Sequence, residues 1–152
     1  MTSVRPATIA GLFYPGTPTE LAHHVETLLA AAAPGACAAV PKAIIAPHAG
    51  FVYSGPIAAR VYALIAPARA RIKRVVLLGP AHRVAVHGMA LPGVDAFATP
   101  LGKIPIDKAA AKTLMALPFV GASAEAHCRV HVVGFKVAHG VADVERQLQP
   151  GM

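Results

Sequence analysis

The stretches "KAIIAPHAGFVYSGP", Lys42 to Pro56, and "RVVLLGPAHRV", Arg74 to Val84, decide the reading of this chain. Each runs from a short apolar segment into a loop that carries a histidine, His48 in the first and His82 in the second. "KAIIAP" and "RVVLLG" are continuously apolar rather than alternating, the pattern of strands covered on both faces. Between them, Ser54 or Gly55 is positioned to cap a helix with Pro56 in its first turn and Ile57, Val61, Leu64 and Ile65 on one face, closed by Pro67. Strand, helix, strand is a crossover unit. Such crossovers are right-handed and join parallel strands, so the expected fold class is α/β, a mainly parallel sheet flanked by helices.

Outward from that unit, "TPTE" at Thr17 to Glu20 has an N-cap threonine, a proline at the first helical position and a glutamate two residues on. It predicts a helix to about Ala33, stopped by Pro34 and Gly35. "GLFYPG", Gly11 to Gly16, reads as a packed aromatic turn.

Composition bounds what else the chain can be. In 152 residues, 55% hydrophobic and 14% charged, there is enough apolar material for one domain with a core, and a disordered tail is disfavoured. The most apolar stretch, "LLAAAAPGACAAV", is broken by Pro34 and Gly35 well short of the ~20 residues of a spanning helix, so no membrane segment is expected. The N-terminus lacks a secretory pattern, and Cys37 and Cys128 form neither a framework nor a CxxC pair, which points to a reducing cytoplasm. The net charge of +7 favours anionic partners, but its local excess, "RARIKR" at Arg69 to Arg74, lies between a predicted helix and a predicted strand. With no zinc-finger spacing or RNP-like aromatic strand beside it, a solvated connection is preferred to a nucleic-acid surface. Dinucleotide, P-loop and hydrolase readings lack their GxGxxG, GKS/GKT and GxSxG motifs.

In a parallel sheet, loops at the carboxyl ends of the strands gather on one edge, where ligands bind. His48 and His82 both fall there. A lone loop histidine is read first as capping backbone groups; two equivalently placed imidazoles are read as one shared site, since neutral imidazole serves as metal ligand and proton shuttle. Gly50, Tyr53 and Ser54 complete the expected pocket. Gly50 and Gly55 allow close backbone approach, while Tyr53 and Ser54 carry hydroxyls whose bland roles are packing and helix capping.

"AGLFYPG", "KAIIAPHAGFVYSGPIAARVY", "RVVLLGPAHRV" and "FATPLGKIPID" follow one another in the order and spacing of the Memo family, also called AmmeMemoRadiSam system protein B. The resemblance runs from about Arg5 to about His131. It implies a fold like that of class III extradiol dioxygenases, which hold non-haem iron, incomplete here at the C-terminus, since family chains are considerably longer. By resemblance, His48 and His82 match two of the family's metal-associated histidines. The family is linked to reduced copper or iron, and in animals to phosphotyrosine peptides and cell motility. No cofactor is demanded by the residues themselves.

After Cys128 the wording departs from the family's "EHSLEVQLPFL": the chain reads "VHVVGFKVAHGVADVERQLQPGM", with His131 in register and Val130 where the family is acidic. A forward shift of one nucleotide can turn Val132–Val133 into "SL" and Val137–Val144 into "LPMVLRTL". Residues 1–131 are therefore expected to be the N-terminal part of a Memo-like domain, and 132–152 an aberrant, out-of-frame tail without a place in the core. Three functions compete. One is a metal-binding redox or dioxygenase-like protein, whose third ligand would be sought at His131, His127, Cys128 or His87. Another is a non-catalytic module for an anionic peptide or small molecule, and the last a truncated, inactive fragment that self-associates through an exposed sheet edge.

Overall fold

The structure is a computed structural model that describes residues 2–32, 39–82, 84–128 and 136–139. It is mixed α/β, with helices and small sheets. The helix α1, Pro18–Ala31, begins as "TPTE" predicts: Thr17 accepts the Glu20 backbone N–H, and its hydroxyl donates to the Glu20 carboxylate at 2.7 Å. Pro34 and Gly35 lie outside the described residues.

The helix α2 is Phe51–Ala63, so it starts earlier than the sequence suggests, and its N-cap is Gly50 rather than Ser54 or Gly55. The cause is tertiary. The Phe51 N–H donates to the Phe13 carbonyl at 2.8 Å, which anchors the first turn against the aromatic turn and leaves Pro56 inside the helix. Ser54 is buried, and its hydroxyl donates to the Ala49 carbonyl at 2.7 Å. Ser54, Gly55 and Ala59 form the buried face of α2, whereas Ile57, expected inside, is exposed. Gly55 makes room for α1: a Cβ there would sit 3.0 Å from the Leu28 Cδ1. A 3₁₀ turn, Ala66–Arg71, takes up Pro67 and the start of the basic run.

The parallel crossover is the main correction. Residues 43–47 have irregular backbone without a strand assignment, and Ile45 is 94% exposed. An apolar run specifies a strand only when a partner lies alongside, and among the described residues none does. Strand β2, Arg74–Leu77, instead pairs antiparallel with the last described strand, Lys136–His139, in the register Arg74 to His139. Its side chains alternate between exposed and half-buried, so it is not covered on both faces.

The remaining ladders are short. Strand β1, Val4–Arg5, runs parallel to β4, Ala96–Thr99, which forms an antiparallel hairpin with β5, Gly102–Pro105. Strand β3, Met89–Leu91, runs parallel to β6, Val120–Ala122. Helix α3, Lys108–Leu114, joins the hairpin to β6, and a single turn, α4, Glu125–Cys128, follows. Among the described residues, parallel and antiparallel ladders are thus mixed across three small sheets. Strand β7, Lys136–His139, is drawn from the tail expected to have no place, and its backbone pairs with β2; the rest of 132–152 lies outside the described residues.

Candidate functional site

The His48 and His82 side chains meet. Their Nε2 atoms are 3.2 Å apart and their rings lie 5.3 Å between centroids, tilted by 33°. The sequence expectation that these imidazoles converge is met, although the reason is not a pair of adjacent parallel strands. The irregular segment 43–47 ends at His48, the loop after β2 carries His82, and the two side chains meet. Both histidines are exposed.

Support for His48 comes from below. Gly50 is buried against Phe13; a Cβ on it would lie 3.3 Å from the Phe13 Cδ1 and 3.4 Å from the Phe13 carbonyl oxygen. Phe13 belongs to the aromatic turn, which closes through Gly11 N–H to Tyr14 carbonyl at 2.8 Å, with Gly11 at φ +80°, a conformation that favours glycine. The Tyr14 and His24 rings both lie 5.8 Å from the Phe51 ring. Burial pushes the Tyr14 hydroxyl up from its ordinary range, with Arg5 opposing. The "GLFYPG" motif is therefore the footing of the His48 loop. Its role beneath the site was not read from the sequence, though the glycines and aromatics at fixed spacing carried the signal.

The other pocket candidates separate. Gly50 makes its close approach to Phe13, at a φ of −55° that any residue adopts. The Ser54 hydroxyl is turned to backbone carbonyls, and Tyr53 is 85% exposed rather than packed or walling a cavity. Among the third-ligand candidates, His127 is a core residue: it is 2% exposed, its Nε2 meets the Ala90 carbonyl oxygen at 3.1 Å, and its ring is edge-on to Phe97. His87 is exposed on the loop before β3. His131 and the Cys128 side chain lie outside the described residues, among which no cluster of three or more His, Cys, Asp or Glu could hold a metal. Behind the His82 loop lies a cavity of about 320 Å³, lined in part by Leu78, Pro80, Val84, Ala90 and Ala126.

A sequence profile described as Memo-like protein matches residues 5–138. The chain belongs to the Memo-like family. Protein MEMO1 of Xenopus tropicalis is 39% identical over 104 residues, 68% of this chain and 34% of that protein. The MEMO1 family protein MHO1 of Saccharomyces cerevisiae is 37% identical over 116 residues, 74% of this chain and 33% of its own length. A MEMO1 family protein of Aquifex aeolicus is 35% identical over 128 residues, 84% of this chain and 46% of its own length. This Memo-like chain thus spans between a third and just under half of these relatives. The match ends seven residues beyond His131, inside β7.

Two imidazole nitrogens at 3.2 Å can do one of two things. One Nε2–H can donate to the other ring's lone pair, or both lone pairs can face a shared electrophile. At metal–nitrogen bonds of ~2.0–2.1 Å, nitrogens so spaced would subtend about 100°, close to the tetrahedral angle of first-row sites. The donor pair therefore fits half of a ligand set. No helix among the described residues is long and apolar enough to cross a membrane.

Proposed function

We propose that His48 and His82 are two ligands of a metal pocket in a Memo-like protein, and that His131 supplies a third. The observation that carries this reading is the 3.2 Å approach of the two Nε2 atoms at the junction of two glycine- and proline-containing loops. Neutral imidazoles suit iron, copper and zinc alike; a reduced iron ion bound there would supply redox chemistry of the non-haem iron kind, and a reduced copper ion one-electron redox chemistry. The chain's own residues position the donors. Gly50 lets the His48 loop seat on Phe13, the Phe51–Phe13 hydrogen bond fixes where α2 begins, and the exit of β2 delivers His82. The substrate is a small molecule or an anionic peptide, reached from the open side on which both imidazoles are exposed, and the protein works in a reducing cytoplasm.

The test is anaerobic titration of Fe(II) and Cu(I) into the chain and into His48→Ala, His82→Ala and His131→Ala variants. One ion per chain is expected, bound weakly if only the two imidazoles hold it, with each of the first two substitutions lowering affinity at least tenfold. Binding that survives both would remove the site. No binding at all would favour a non-catalytic module.

A further inference from the structure

We propose that the cavity behind the His82 loop is a subsite for the uncharged part of the substrate, a small apolar group that carries a hydroxyl, carbonyl or amide. That the bound group belongs to a substrate rests on the metal-pocket reading; that the cavity binds such a group does not. The cavity adjoins the site through the chain itself. Gly79, Pro80 and Ala81 lead directly into His82, Val84 and Val86 follow it, and all five line the space. The floor comes from elsewhere in the fold and is tied down. Ala90, in β3, and Ala126, in α4, are 5% and 2% exposed; the Ala90 carbonyl oxygen meets the His127 Nε2 at 3.1 Å, and the Ala126 N–H donates to the Ser123 hydroxyl at 3.1 Å.

The loop wall has a different character. Among the described residues, no hydrogen bond uses the backbone of residues 79–81 or 84–87, so the N–H and C=O groups that reach the cavity are open to whatever enters it. Nor is any lining side chain charged among the described residues. A carboxylate, phosphate or ammonium placed there would lose its water without gaining a counter-ion, whereas a neutral polar group can pair with the loop backbone while its apolar body lies against Leu78, Val84 and Met89. At about 320 Å³ the space lies at the small end of the ~300–1,000 Å³ typical of ligand sites, which suits one small group rather than a whole peptide. Any anionic portion of the substrate is left outside, on the open side of the histidine pair.

The experiment titrates benzamide, and separately benzoate, its charged counterpart of the same shape, into the metal-free chain carrying isotope-labelled methionine methyls. Met89 lines the cavity, and Met115, 45% exposed at the end of α3, does not. Nuclear magnetic resonance should show a saturable shift of the Met89 methyl with benzamide, no shift of Met115, and no response of either to benzoate. Ala126→Leu, which fills the floor, and Val84→Phe, which fills from the loop, should each weaken benzamide binding tenfold or more with the helical circular dichroism retained. Should Ala126→Leu unfold, Val84→Phe decides. The proposal is overturned if benzamide leaves Met89 unmoved, if benzoate binds as well, if both methionines shift together, or if the folded filling variants bind benzamide like the parent. Fe(II), added afterwards without oxygen, separates the two readings. Faster relaxation of the bound benzamide protons is expected; benzamide binding without it would count against the metal pocket and leave the cavity site standing. Fe(II) binding by a chain that ignores benzamide would do the reverse.

Discussion

The buried carboxylate of Asp107 accepts the Arg74 Nε–H at 2.7 Å with one oxygen and the Ala110 backbone N–H at 3.0 Å with the other. A single side chain thus ties the start of β2 to the first turn of α3. Since β2 leads to the His82 loop, this is one of the fixed points that position the site. Asp107→Ala removes an N-cap, worth about 1–2 kcal/mol, and releases Arg74, whose side chain is 55% exposed and can turn to water. Asp107→Asn keeps an acceptor for Ala110 and should lose less. Urea unfolding of both variants checks the order.

Gly88 is the most constrained glycine described. Its φ is +82°, and a Cβ there would lie 2.2 Å from the Phe119 carbonyl oxygen. That oxygen cannot retreat freely, because it accepts the Met89 N–H at 2.8 Å where β3 meets β6. Gly88→Ala is therefore expected to cost on the order of 2–4 kcal/mol, combining an unfavourable backbone conformation with a displaced ladder. The check is the thermal midpoint. An alanine variant that melts with the parent would contradict the geometry.

How much of this was legible depends on whether the deciding interaction was local. Helix α1 could be read from "TPTE" because its cap partners, Thr17 and Glu20, are three residues apart. The start of α2 could not, because the Phe51 N–H is committed to Phe13, thirty-eight positions earlier in the chain, and no helix rule sees that bond. "KAIIAP" satisfies the composition of a buried strand, but pairing is a property of two segments, and its neighbour β2 is paired with Lys136–His139 instead. The histidine pair was legible because two strand-like runs, each followed by a histidine, bring their ends together whether or not a ladder joins them. The role of His127 was not legible, because its ring is committed to the Ala90 carbonyl, thirty-seven residues away, a pairing that sequence spacing does not encode.

Asp95 gives a pH dependence with a definite sign. Its carboxylate is held below the usual range, first by its contact with the Lys108 ammonium and next by the Ser3 backbone N–H at 2.7 Å. A carboxyl group whose folded value is depressed stabilises the fold above its unfolded value, ~4, and that contribution disappears as pH falls through the lower folded value. The parent should accordingly be more stable than Asp95→Asn at neutral pH, and the difference should shrink to nothing in acid. Paired urea titrations across that range measure it; a difference that grows toward low pH would reverse the assignment.

His127 separates a structural histidine from the site. Truncation to alanine removes the hydrogen bond to the Ala90 carbonyl and opens a void beside Phe97, at an expected cost of about 2–4 kcal/mol. Because the ring is buried and committed to β3, metal titration of the folded variant should match the parent. Reduced metal affinity without reduced stability would instead return His127 to the ligand set.

Gly50→Ala links the footing to the site most directly. The backbone at Gly50 has φ −55°, which any residue adopts, so the substitution carries no conformational strain. What it meets is Phe13, 3.3 Å from the new Cβ at the ring and 3.4 Å at the carbonyl oxygen, and this oxygen also accepts the Phe51 N–H. The ring can give by a few tenths of an ångström; the carbonyl can do so only by lengthening the bond that anchors α2. Alanine is also a poorer N-cap than glycine, so the expected loss of stability is small, about 1 kcal/mol. The larger effect should fall on His48, two residues away, whose Nε2 must stay within 3.2 Å of the His82 Nε2 for the two to act together. Chemical-shift coupling between the imidazoles, followed by nuclear magnetic resonance of histidine-labelled protein, should weaken in Gly50→Ala and recover when Phe13→Leu relieves the ring contact. Should the coupling persist unchanged in Gly50→Ala, the aromatic turn would be a packing element with no part in aligning the pair.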